Sequence, residues 1–149
     1  MYHTILVPLD GSKRAESILN HVEELARRFD AKVIFLQVVE PEPMAVGPEG
    51  NYMERYQEEL ERQTKQIETY LASLEGEFRE KGIKARTRVA HGPVAEAIIN
   101  AAESEGADLI AIASHGRSGL SRVFYGSVTA GVLHRIDRPL LLIRSFDHE

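Results

Sequence analysis

The residues best equipped for chemistry lie in the last third of the chain. The loop Ser114-His115-Gly116-Arg117-Ser118-Gly119 leads to Gly126-Ser127-Val128-Thr129, which opens a short helix. Glycines allow a backbone to approach a ligand closely, and the unpaired N–H groups at a helix start point at an anion. Ser127 and Thr129 can add hydroxyl donors and Arg117 a positive charge, so the pattern suits a phosphate. The same residues also make an ordinary glycine-rich turn with an N-cap serine, and the pattern alone leaves both readings open. His115 can donate to a phosphate or brace its own loop. Near the N-terminus Asp10 can cap the first helix, or help hold a metal.

Other site chemistries are missing. The G-x-x-x-x-G-K-[ST] loop is absent: the stretch from Gly11 to Ser17 lacks its second glycine and its lysine. G-x-G-x-x-G is absent after the first strand, where L-D-G-S-K-R-A stands, which argues against a flavin or nicotinamide carrier. There is no cysteine, and therefore no thiolate nucleophile, disulfide or thiolate metal site. His91, His134 and His148 stand at no ligand spacing with a carboxylate and no H-E-x-x-H occurs, so no intrinsic metal site is expected. With a net charge of −5 and scattered Lys and Arg, the chain lacks the basic footprint of a nucleic-acid binder. Ile5-Leu6-Val7 is too short for a signal sequence's apolar region of about 7–15 residues. No stretch approaches the ~20 apolar residues of a membrane span. The expectation is a cytoplasmic protein with no membrane partner.

The elements that must position these residues follow from hydrophobic periodicity. Ile5-Leu6-Val7 reads as a buried strand ended by Pro8. Ala15, Ile18, Leu19, Val22, Leu25, Ala26 and Phe29 recur at helical spacing, with Ser12 or Asp10 as the cap. Lys32–Val39 is a second strand, and residues 40–51 form a Pro- and Gly-rich loop. Tyr56, Leu60, Ile67, Leu71, Leu74 and Phe78 line one face of a long amphipathic helix ending near Gly82. Residues 85–90 alternate as an edge strand does, and Gly92-Pro93 opens a helix with Val94, Ala97, Ile98 and Ala101 facing inward. Leu109–Ala113 is a central strand, residues 127–136 a short helix, and residues 139–143 the last strand. The alternation β-α-β-α-β-α-β-α-β implies one doubly wound α/β domain over residues 1–149, a parallel sheet with helices on both faces. In such sheets ligands bind beyond the carboxyl ends of the strands, where the winding reverses. Function is expected at Pro8-Leu9-Asp10, at Val38-Val39-Glu40, and in the loop after Ala113.

The run A-S-H-G-R-S-G-L-S-R-V-F-Y-G-S-V resembles the nucleotide loop of the universal stress protein family. Its ATP-binding branch carries a glycine, two residues, a glycine, nine residues, then glycine with serine or threonine. The blocks I-L-V-P-L-D-G-S and R-P-L-L-L-I-R agree as well, and the likeness covers essentially the whole chain. The resemblance implies a five-stranded sheet in the order 3-2-1-4-5, with ATP, accompanied by Mg²⁺ or Mn²⁺, in the crevice. It sets Pro8, Leu9 and Asp10 beside ribose and adenine, and the main chain of Val38 at the adenine edge. Gly116 and Arg117 then flank the phosphates, which Gly126, Ser127, Val128 and Thr129 hold. Ala113 departs from the pattern: it occupies the first glycine, where one methyl could crowd the nucleotide. The implied role is a regulatory or stress-response module, with no dedicated catalysis beyond slow ATP hydrolysis. The alternatives are the branch that binds no nucleotide and acts only through protein contacts, or a slow ATPase. In the implied strand order Leu140-Leu141-Leu142-Ile143 lies at a sheet edge that no charge guards, which predicts a homodimer paired through that strand, the alternative being that the C-terminal tail folds over it.

Overall fold

The computed structural model describes residues 1–40, 52–114 and 128–144. Five strands, β1 (Thr4–Leu9), β2 (Lys32–Val39), β3 (Ala85–His91), β4 (Leu109–Ala113) and β5 (Leu140–Ile143), alternate with four helices. The helices are α1 (Leu19–Phe29), α2 (Tyr52–Glu80), α3 (Val94–Glu105) and α4 (Thr129–Arg135), and a 3-10 turn over Ala15–Ile18 precedes α1. All strand pairs are parallel, in the order β3-β2-β1-β4-β5, as the resemblance implies.

The sheet is parallel because its central strands β1, β2 and β4 are buried on both sides and each crossover carries a helix to cover a face. On one face Ile5, Val7, Val33, Phe35 and Ala111 pack against Val22 and Ala26 of α1 and Leu71, Leu74 and Phe78 of α2. Phe35 and Phe78 meet edge to face at 4.9 Å, the preferred arrangement for an aromatic pair. On the other face Leu6, Ile34, Leu36, Ile110 and Ile112 pack against Ile98, Ala101 and Ala102 of α3 and Val128 and Val132 at α4.

Two local expectations change. The first helical stretch starts as a 3-10 turn, because Ser12 Oγ accepts the Ala15 N–H at 3.0 Å and tightens the entry. Ser12 is thus the residue that serves the helix start, while Asp10 shapes the turn before it. Pro8, read as the end of β1, lies inside the strand: β1 pairs with β2 from Thr4↔Lys32 through Leu9↔Gln37.

Candidate functional site

The pairing that admits Pro8 also opens the crevice. β1 pairs with β4 only at Ile5↔Leu109 and Leu6↔Ile110, although its ladder to β2 continues to Leu9. Pro8 has no N–H to offer a ladder, and the ladder to β4 stops at Leu6, before reaching it. β4 meanwhile stays with β5 to its end, from Ile110↔Leu140 to Ala113↔Ile143, and Ser114 N–H donates to Ile143 C=O at 2.7 Å. The carboxyl halves of β1 and β4 therefore carry no shared ladder at the point where the winding direction reverses, the usual place for a ligand in such sheets.

Asp10 stands at the end of β1 on the rim of this gap. Its Oδ1 accepts the Ser12 N–H at 2.9 Å, folding the carboxylate over a turn whose apex, Gly11, has φ +86°. That backbone conformation is strained for any residue with a Cβ, so glycine is required there. Beneath the turn lies the amide of Gln37, with Nε2 3.7 Å and Oε1 4.0 Å from where a Gly11 Cβ would stand. Val38 follows at the carboxyl end of β2 and is half-buried against the α3 side of the core.

Three buried side-chain oxygens have no hydrogen-bond partner among the described residues: Ser17 Oγ, Gln37 Oε1 and Ser114 Oγ. They belong to the 3-10 turn before α1, to the carboxyl half of β2 and to the residue after β4. Leaving such a group unmatched costs about 1–3 kcal/mol, and clusters of them mark a place that a ligand or ordered water completes. Sequence reasoning missed Gln37, although one signal was present: it is the only polar residue within the apolar run from Val33 to Val39.

On the outer wall of the turn, the Tyr70 hydroxyl of α2 donates to Glu16 Oε2 at 2.6 Å. Burial, the Glu16 hydrogen bond and charge, and then the charges of Asp10 and Glu77 hold the phenol well above its ordinary range. Tyr70 therefore stays a donor, and ties α2 to the turn that carries the site.

The structure brings Pro8, Leu9, Asp10, Val38 and Ala113 to the carboxyl edge of the sheet, with Val128 buried at the N-cap of α4 and Thr129 as its first residue. Ala113, the residue in place of the first glycine, is 1 % exposed, and its methyl belongs to the core cluster on the α1 and α2 face. His115, Gly116, Arg117, Ser118, Gly119, Gly126 and Ser127 lie outside the described residues. Among the described residues no three His, Asp or Glu groups stand close enough to hold a metal ion, and no helix is long and apolar enough to cross a membrane.

Comparison with known proteins agrees with this architecture. The chain is 28% identical over 155 residues to universal stress protein MJ0577 of Methanocaldococcus jannaschii, covering 97% of this chain and 96% of that protein. The solved structure of MJ0577 superposes with a TM-score of 0.84 at 29% identity, covering 99% of each chain. More distant in sequence is a universal stress protein in complex with cAMP, with TM-score 0.68 at 20% identity and coverage of 97% and 98%. A universal stress protein from Archaeoglobus fulgidus in complex with dAMP gives TM-score 0.67 at 19% identity and coverage of 95% and 98%. At those identities the likeness is one of fold. The sequence model described as the universal stress protein family matches residues 1–144, and the chain belongs to that family.

Proposed function

We propose that this protein binds an adenine nucleotide, ATP with its Mg²⁺ or Mn²⁺, in the crevice between β1 and β4 and acts as a nucleotide-dependent regulatory module. The observation that carries the reading is the parting of β1 from β4 after Leu6, at an edge where the buried Gln37 Oε1 and Ser114 Oγ have no hydrogen-bond partner among the described residues. Family members of the same fold, in complex with cAMP and dAMP, support it. In this reading Pro8, Leu9 and Asp10 border ribose and adenine, and the Val38 main chain meets the adenine edge. Gly116, Arg117, Gly126, Ser127, Val128 and Thr129 serve the phosphates. The buried position of the Ala113 methyl favours retention of binding despite the lost glycine, because a side chain already packed in the core takes little from the crevice.

The module is not a dedicated catalyst. Efficient phosphoryl transfer requires an oriented nucleophile and cations that neutralise developing charge. Backbone N–H groups, hydroxyls and one arginine instead hold the ground state, and uniform binding does not accelerate chemistry. Turnover well below the ~10 s⁻¹ of typical enzymes is expected. The assembly is a cytoplasmic homodimer joined through β5.

Mass spectrometry of the nucleotide released by denaturing fresh protein, with calorimetric titration of ATP into stripped protein, tests the reading. A bound adenine nucleotide and a saturable titration, lost in Gly126→Val, are expected. A parent protein that neither carries nor takes up a nucleotide would leave the branch that acts through protein contacts alone.

A further inference from the structure

α3 and α4 cover the same face of the sheet and run side by side in the same direction. At their far ends Arg138, just beyond α4, donates through Nη1 to Ala102 C=O at 3.0 Å and Ala107 C=O at 2.7 Å, at the C-terminus of α3. At their near ends Gly131 in the first turn of α4 faces Ala95 in the first turn of α3. A Cβ placed on Gly131 would lie 2.7 Å from the Ala95 Cβ. Packed carbons stand about 3.5–4.0 Å apart, so no residue but glycine fits while the helices keep this distance. The backbone conformation of Gly131 is ordinary helix, which means that space, not φ, demands glycine here.

We infer that the Gly131–Ala95 contact is a positioning contact for the nucleotide site, setting how deeply the start of α4 sits. The inference rests on the nucleotide reading above. α4 is pinned at its far end by Arg138, so a larger residue at 131 turns it about that end. The displacement is then greatest at Val128 and Thr129, the two described residues assigned to the phosphates. Val128 is 6 % exposed and packs with Val132 against the α3 cluster, so it cannot stay seated while α4 moves out. Interiors resist compression and pass such strain on as movement.

The test is a cycle of Gly131→Ala, Ala95→Gly and the double variant, with ATP affinity, melting temperature and hydrogen exchange across residues 128–135 measured for each. Alanine is the better helix former, so without the contact Gly131→Ala would stabilise α4 and leave affinity alone. The expected result is affinity reduced about tenfold or more in Gly131→Ala, with faster exchange in the first turn of α4. Adding Ala95→Gly should return affinity to within about threefold of the parent and slow the exchange again. If Gly131→Ala is too unstable to assay, failure of the double variant to recover folding and affinity overturns the inference. Unchanged exchange and affinity in a folded Gly131→Ala overturn it as well. A parent that takes up no ATP overturns the nucleotide reading and this inference together, whereas a binding parent with an equally tight Gly131→Ala overturns the inference alone.

Discussion

The two edges of the sheet solve the same problem in opposite ways. β3 is seven residues long and its arginines are committed: Arg86 and Arg88 both reach Glu105 of α3, and Arg88 also meets Ser104. Arg79 of α2 donates twice to Ala85 C=O at the start of the strand, at 2.9 and 3.0 Å, and Lys81 bonds Glu23 of α1 at 2.7 Å. β5 has four residues, all aliphatic, and Leu142 remains 40% exposed. Charge and helix cover discourage added strands at β3, whereas β5 is short and carries no charge of its own. On the dimer reading proposed above, the β5 side is where a second copy would approach. The difference also selects the residue for testing it. Leu141 and Ile143 pack on the α1 and α2 face and Leu140 on the α3 face, so changing them disturbs the core, whereas Leu142 belongs to neither cluster.

The largest expected effect is therefore on assembly. Leu142→Lys should raise the dimer dissociation constant at least about a hundredfold, since a lysine at the centre of an apolar contact loses its water without gaining a partner. The melting temperature extrapolated to the monomer should hardly move. Light scattering at micromolar concentration reads this directly, and a monomeric parent would end the proposal. Next is the opposite edge. Replacing Arg86 and Arg88 together by valine strips the guard and strands Glu105, and should produce concentration-dependent association beyond the dimer. A variant that stays dimeric at high concentration would show that α2 and the strand's own twist suffice.

How much of this was legible beforehand depends on which forces act locally. The alternation of apolar strands with amphipathic helices specifies a parallel, doubly wound sheet, because burial on both faces leaves few other solutions. The strand order came from resemblance, since nothing in β3 or β5 states which strand each lies beside. Pro8 misled: a proline normally ends a strand, and its tolerance here follows from β4 parting from β1, a tertiary fact. Asp10 and Ser12 were interchangeable as caps on paper, and only the hydrogen bonds separate a turn former from the residue serving the helix start. Gln37 hid within an apolar run, and the close approach of Gly131 to Ala95 depends on two helices far apart in sequence. The glycine pattern from Gly116 to Ser127 was the clearest sequence signal, and it lies outside the described residues.

The smallest effect probes how α2 is held over the guarded edge. Tyr70 is the polar tie between α2 and the turn after β1, and Tyr70→Phe removes its hydrogen bond to Glu16 while keeping the ring. A bond to a charged acceptor contributes about 1.5–3 kcal/mol; partial exposure reduces this, and a loss of about 1–2 kcal/mol at neutral pH is expected. The pH dependence separates this from a packing defect. The unfolded phenol ionises near pH 10, as tyrosine ordinarily does, whereas the folded phenol keeps its proton to higher pH. The parent's advantage is thus complete below about pH 10 and shrinks above it, because only the unfolded state then releases the proton. Phenylalanine has no proton to lose. Urea unfolding of both proteins at pH 7, 9 and 10.5 should show a constant gap over the first two and a narrower one at the last. A gap of the same size at all three would mean that the Tyr70 phenol ionises alike in the folded and unfolded chain, and that its bond to Glu16 does not hold the proton.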